Sequence, residues 1–207
     1  MTKLAILGAS GHGKVVADAA ILSENWSEIV FFDDAFPDVK YIENISVNGN
    51  IETLIENKKT FDGIVIAIGN NKTRTSKQYY LEQHGCNIVS IIHPSAVVSQ
   101  SAKIGAGSVV MAGAVINAFS NIGKSCIINT NAVVEHDCFL SDGVHVSPGA
   151  LLAGEVVVGA CSWIGIGSSL IQQISIGDNI TIGAGSVVVK DIIEPGIYFG
   201  NPAKITN

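Results

Sequence analysis

Glu135-His136-Asp137 sets an imidazole between two carboxylates in a half of the chain that otherwise carries few ionisable groups. A histidine beside an acid is the usual arrangement of a general base, because the acid fixes the tautomer and stabilises the imidazolium. Asp137 is the favoured partner and Glu135 the alternative. Near the amino terminus, Gly8-Ala9-Ser10-Gly11-His12-Gly13-Lys14 stands between an apolar run and a helical pattern. Backbone N–H groups and a positive helix end would converge there, which suits a phosphate or another anion. The glycines run GxxGxG rather than GxGxxG, so this is not the dinucleotide fingerprint. Val15 stands where a P-loop needs the Ser or Thr that holds Mg²⁺, which argues against an NTPase. About twenty residues further on, Asp33-Asp34 closes an apolar run and offers acceptors to a ribose or a base. Gly69-Asn70-Asn71 closes another.

The elements that must position these groups differ between the two halves. From Ile92, every sixth residue through Val98, Ile104, Val110 and onward to Val188 is Ile, Val or Leu. Four places after each lies a second small or aliphatic series that includes Ser108, Cys126, Cys138 and Ala150. A period of six fits neither a helix nor a hairpin meander; it is the repeat of a hexapeptide β-helix. Three hexapeptides make one triangular coil, so residues eighteen apart stack and each coil covers its neighbour. With Val134 inward, His136 falls at a corner and points outward. Ala118 and Gly154 are its stacking neighbours, expected to leave space around the ring. His145 and Trp163 stack on one face, and Gly149, Gly154 and Gly165 to Gly167 allow a ligand close to the backbone.

The first ninety or so residues read as a small parallel α/β unit. Strands are expected at 3–7, 28–32, 63–68 and 88–91, and helices at 15–22, 51–57 and 73–85, with Arg74 on the first turn of the last. About four strands are too few for a complete dinucleotide site, so one nucleotide is the better fit. The segment 35–50 carries no signal. His93-Pro94 marks the junction.

Composition narrows the class. The chain has 207 residues, 47% hydrophobic and 14% charged, with a net charge of −6. The acidic balance argues against nucleic acid as a partner. Cys86, Cys126, Cys138 and Cys161 form no CxxC pair, and two fall on the inward series, so they read as buried thiols and no metal site is expected. No stretch reaches the roughly 18 apolar residues of a membrane span, and 1–10 lacks signal-peptide organisation, which places the chain in a reducing cytoplasm.

Uninterrupted hexapeptides resemble the hexapeptide acyltransferases, and the other motifs narrow the resemblance. The Gly8 to Gly13 turn, Asp33-Asp34, Ile68-Gly69-Asn70-Asn71, Asn129-Thr130, Glu135-His136-Asp137, His145-Val146-Ser147 and the Gly200-Asn201-Pro202-Ala203-Lys204 tail are similar to the sugar acetyltransferases related to sialic acid O-acetyltransferases. Within that family the chain most resembles enzymes that N-acetylate a nucleotide-linked 4-amino-4,6-dideoxy sugar. The resemblance implies an α/β plus β fold: a Rossmann-like βαβ domain over 1–91, then a left-handed parallel β-helix with a carboxyl-terminal tail over 92–207. It implies that Ser10, Gly11, His12, Asp33, Asp34, Gly69 and Asn70 hold the nucleotide-sugar, with UDP favoured over GDP. His136, supported by Asp137, is the implied general base. His145, Ile166 and Ala184 would line an acetyl-CoA groove, Ala184 through its backbone, and the tail would lie beside the coenzyme. A homotrimer with sites between adjacent prisms is also implied. The alternatives are O-acetylation of a sialic-acid-like sugar, or a non-catalytic scaffold that binds nucleotide-sugar.

Overall fold

The computed structural model describes residues 2–206, which divide between Pro94 and Ser95 into two compact units. In the first, β1 (Lys3–Leu7), β2 (Glu28–Phe32) and β3 (Gly63–Ile66) form a parallel sheet in the order β2-β1-β3. β1 and β3 are almost wholly buried, as expected of central strands covered on both faces. Three α-helices, α1 (Gly11–Leu22), α2 (Ile51–Glu56) and α3 (Asn71–Gln83), and a 3-10 turn at Lys58–Thr60 accompany the sheet among the described residues. α1 and α3 begin earlier than their apolar periodicity suggests. Ser10 is the N-cap of α1, and Asn70 caps α3 by accepting the Thr73 N–H at 3.0 Å.

The expected strand at 88–91 is reduced to a single parallel bridge, Ile64 to Ile88, so the sheet has three strands rather than about four. The uninformative segment 35–50 holds a two-residue antiparallel ladder, 41–42 with 45–46. It is too short to leave a periodic signal.

The second unit is a left-handed parallel β-helix of about six turns. Two-residue strands pair in register with those eighteen residues away, as in Val97, Val115, Val133 and Leu151 on one face. The inward aliphatics from Val110 to Val188 form one buried cluster, each contributing about 1.5–3 kcal/mol on burial. Val98 and Ile104 are only partly buried, because an end coil is covered on one side alone. Ile92, counted as the first inward residue, is 40% exposed, and the buried residue is Ile91. The inward serines keep their hydroxyls satisfied: Ser120 Oγ donates to the Glu135 carbonyl at 2.6 Å and Ser108 Oγ to that of Gly123 at 2.7 Å.

Every corner of one type is turned by a residue in the left-handed region, spaced six apart: Gly107, Gly113, Phe119, Ser125, Asn131, Asp137 and so on to Gly185. Asp137 has φ +58°. Aspartate is among the few L-residues that tolerate this conformation, so the corner that carries the His-Asp pair is also a turn position. Among the described residues, no helix is long and apolar enough to cross a membrane.

Candidate functional site

At the corner after Val134, His136 Nδ1 lies 2.9 Å from Asp137 Oδ2, and both side chains are about half exposed. Glu135 is engaged elsewhere: its Oε2 accepts from Asn117 Nδ2 at 2.9 Å. Asp137 is thus the acid that orients the ring. Its hydrogen bond raises the His136 pKa above the ordinary value, against a smaller opposing effect of desolvation. With Nδ1 donating to Asp137, Nε2 is left as the basic nitrogen. The ring rests on Gly154, where a Cβ would stand 2.5 Å from Nε2. The expected space is therefore filled by the imidazole itself, and the absent side chain at Gly154 lets it lie there.

His145, Ile166 and Ala184 line one apolar groove of about 380 Å³, together with Trp163, Gly183 and Phe199. His145 stacks on Trp163 with centroids 4.7 Å apart at 26°. The Thr130 N–H donates to Asn129 Oδ1 at 2.8 Å, which turns Asn129 Nδ2 toward His145 Nε2 at 3.1 Å. Nε2 is then placed to accept from Asn129. Gly149 and Gly167 have open space above them, whereas a Cβ on Gly165 would meet the Ile182 carbonyl at 2.4 Å. Gly165 serves coil packing, and only the former two leave the backbone approachable. The His136 corner and the groove lie on two different edges of the prism, with the face bearing Val133 and Leu151 between them.

In the first unit, the turns after β1, β2 and β3 meet at the carboxyl edge of the parallel sheet, where such sheets bind ligands. Gly8 has φ +115°, and a Cβ there would strike the Ala67 carbonyl. On Gly13 it would lie 2.1 Å from the Gly8 carbonyl. Gly11 and Gly69, by contrast, have no atom within 4 Å of a built Cβ. Ser10 is exposed and its side chain makes no capping bond. Asp33 ties two turns together, accepting the Ala9 N–H at 2.6 Å and the Ala35 N–H at 2.9 Å through different oxygens. Asp34 Oδ2 pairs with Lys77 at 2.7 Å. His12 is partly buried, and its enclosed Nε2 has no hydrogen-bond partner. Burial first, and the nearby Arg74 charge second, lower its pKa to about 4.

Sequence reasoning missed several contributors. Arg74 is fully buried and donates to the carbonyls of Ile68 and Gly69. Asn117 lies eighteen residues before Glu135, a spacing that pointed to their contact. Phe199 follows the repeat and packs over Gly183, so no period indicated it. Burial pushes the Cys138 thiol up to about 11 and also raises Cys86, which leaves neither as a ready nucleophile. Among the described residues, no group of three or more His, Cys, Asp or Glu is placed to hold a metal ion.

Residues 3–81 match the PglD N-terminal domain. Along 116 residues the chain is 39% identical to UDP-N-acetylbacillosamine N-acetyltransferase of Bacillus subtilis (strain 168), a stretch covering 54% of this chain and 52% of that relative. The chain thus spans about half the length of this curated relative. The acetyltransferase domain of PglB from Neisseria gonorrhoeae FA1090, solved with acetyl coenzyme A, superposes with a TM-score of 0.94 at 43% identity over 99% of this chain and 98% of that one. PerB from Caulobacter crescentus, solved with CoA and GDP-perosamine, gives 0.94 at 36% identity over 100% and 98%.

Proposed function

Since the chain belongs to the hexapeptide-repeat sugar acetyltransferases that carry a PglD N-terminal domain, we propose that it moves acetyl from acetyl-CoA to the 4-amino group of a nucleotide-linked 4-amino-4,6-dideoxy sugar. The observation that carries this reading is the His136-Asp137 pair, a base with a free Nε2 on an exposed corner. Residues 1–91 hold the nucleotide-sugar through Ser10, Gly11, His12, Asp33, Asp34, Gly69 and Asn70. Residues 92–207 hold acetyl-CoA through His145, Ile166 and Ala184. The relatives solved with acetyl coenzyme A and with CoA and GDP-perosamine support acetyl-CoA and a nucleotide-sugar as the two ligands.

The transfer is direct. The sugar amine attacks the thioester carbonyl, and its N–H proton passes to His136 Nε2 as the C–N bond forms. The C–S bond then breaks, and the proton leaves on the CoA thiol. A backbone N–H of the glycine-rich corner polarises the oxyanion as it develops. UDP is favoured over GDP by the carboxylates. Guanine presents N1–H and N2–H₂ side by side and calls for a two-oxygen acceptor. Asp33 spends both oxygens on backbone amides, and Asp34 spends one on Lys77. The single N3–H of uracil needs only the oxygen that remains.

The active assembly is a homotrimer. The face between the two functional edges is lined outward by Val97, Val115, Val133 and Leu151, with Val97 62% and Leu151 47% exposed. Covering this face with a second copy brings the His136 edge of one prism to the groove edge of the next. The four free cysteines support a reducing cytoplasm. The test is CoA release with UDP- and GDP-linked 4-amino-4,6-dideoxy sugars and free sialic acid, on wild type and His136→Ala. Turnover of a UDP-linked amino sugar, lost in the variant while binding persists, is expected. Turnover with free sialic acid alone moves the activity to O-acetylation, and binding without turnover anywhere identifies a scaffold.

A further inference from the structure

Among the described residues, Arg74 is the largest fully buried side chain. Ionised groups are costly to bury, and an apolar residue of similar volume fills a core at least as well. Its contacts indicate what it contributes. Nη1 donates to the carbonyls of Ile68 at 2.9 Å and Gly69 at 3.1 Å, and Nη2 donates to Asn71 Oδ1 at 3.0 Å. The fork thus holds three acceptors of one turn, the carbonyls of Ile68 and Gly69 and the side chain of Asn71. Two carbonyls are drawn into the interior. Above Gly69 the space is open, with no atom within 4 Å of where a Cβ would stand. The guanidinium charge, second to burial, also lowers the pKa of His12 in the first turn of α1, whose buried Nε2 has no partner.

We propose that Arg74 is a positioning residue of the nucleotide-sugar site: from beneath, it fixes the Gly69-Asn70 turn and supplies the buried positive charge that a diphosphate meets at the start of α1. This rests on the function proposed above. A planar five-donor fork can hold two carbonyls and an amide oxygen at once, which a lysine head cannot. In a low-dielectric interior its charge also acts beyond its hydrogen-bonded neighbours. Two lysines nearby are engaged elsewhere, Lys77 with Asp34 and Lys14 with Glu43. Burial, with Arg74 as the second contributor, keeps His12 neutral, so the imidazole meets an anionic ligand as a hydrogen-bonding group.

The experiment compares Arg74→Met and Arg74→Lys with wild type, varying each substrate in turn and titrating His12 by NMR. Arg74→Met is expected to raise KM for the nucleotide-sugar about tenfold or more, while KM for acetyl-CoA and kcat at saturation stay within about twofold. The His12 pKa should rise from about 4 toward its ordinary value in Arg74→Met but less in Arg74→Lys, which keeps the charge. A purely structural role would lower kcat through loss of folded enzyme and leave both KM values alone, and that result overturns the proposal. So does an unchanged His12 titration. Should Arg74→Met fail to fold, Arg74→Lys decides: a raised nucleotide-sugar KM with a low His12 pKa supports the proposal, and an unchanged KM overturns it. If wild type turns over no nucleotide-linked amino sugar, the proposed function fails, whereas the His12 titration still reports on Arg74.

Discussion

Gly154→Ala offers a test of the catalytic corner that removes no functional group. The alanine Cβ would stand 2.5 Å from His136 Nε2 and 2.6 Å from Cε1, against 3.4 Å for ordinary contact, so the ring must withdraw by about 0.9 Å. The displaced group is an exposed side chain and Gly154 has no positive φ, so the fold has little reason to suffer. A misplacement near 1 Å costs on the order of 10²-fold in rate, equivalent to about 2.7 kcal/mol on the barrier. Steady-state CoA release should therefore show kcat down about a hundredfold with Tm unchanged. The same substitution placed in His136→Ala should cost almost nothing further, because the ring it displaces is gone. An equal loss in both backgrounds would mean that Gly154 acts through something other than His136. A kcat within about threefold of wild type would refute the claim that the imidazole works from its position over Gly154.

The His136-Asp137 bond makes a signed prediction about pH. The base must be neutral to accept a proton, and its pKa is raised chiefly by the Asp137 hydrogen bond, so activity falls as pH drops through that raised value. Asp137→Asn should move the acidic limb of the kcat/KM profile to lower pH while reducing the plateau. Glu135→Gln, whose carboxylate is held by Asn117, should move it less; equal shifts would make the two acids equivalent and contradict the geometry. The arrangement of the edges makes a second prediction, by subunit mixing. His136→Ala and a groove-filling Ala184→Trp should each be inactive alone. Mixed equally and co-assembled, they should recover about a quarter of wild-type sites, if each site takes its base from one prism and its groove from the next. Recovery of none would confine the site to a single chain.

Much of the architecture was legible because the solenoid repeats without a slip: a six-residue period leaves no competing register, and residues eighteen apart necessarily stack. That spacing alone brought His145 to Trp163 and Ile166 to Ala184. It also contained the Asn117-Glu135 contact, which needed only to be looked for. Asp137 is the favoured partner of His136, but the sequence leaves Glu135 as the alternative, since both adjoin the ring. The choice is settled by side-chain hydrogen bonds, Asp137 reaching His136 from its turn position while Asn117 holds Glu135. In the first unit, one bridge in place of a strand and a buried Arg74 were equally invisible, because an arginine on a first helical turn ordinarily faces solvent.

Where the two edges fall has a consequence that periodicity could have supplied. Residue number modulo eighteen fixes the prism edge to which a corner belongs. His136 and Gly154 share one residue class, and Pro148, Ile166 and Ala184 share another. No coil of this helix can bring the two classes together, however many repeats are added, because stacking moves a residue along its own edge and never across a face. A solenoid that uses a base on one edge and a thioester groove on the other must therefore close the gap with a second surface. The intervening apolar face, exposed at Val97 and Leu151, is the surface suited to receive it. If His136 and the groove serve one reaction, as proposed, a monomeric variant with an intact fold should bind acetyl-CoA yet transfer nothing.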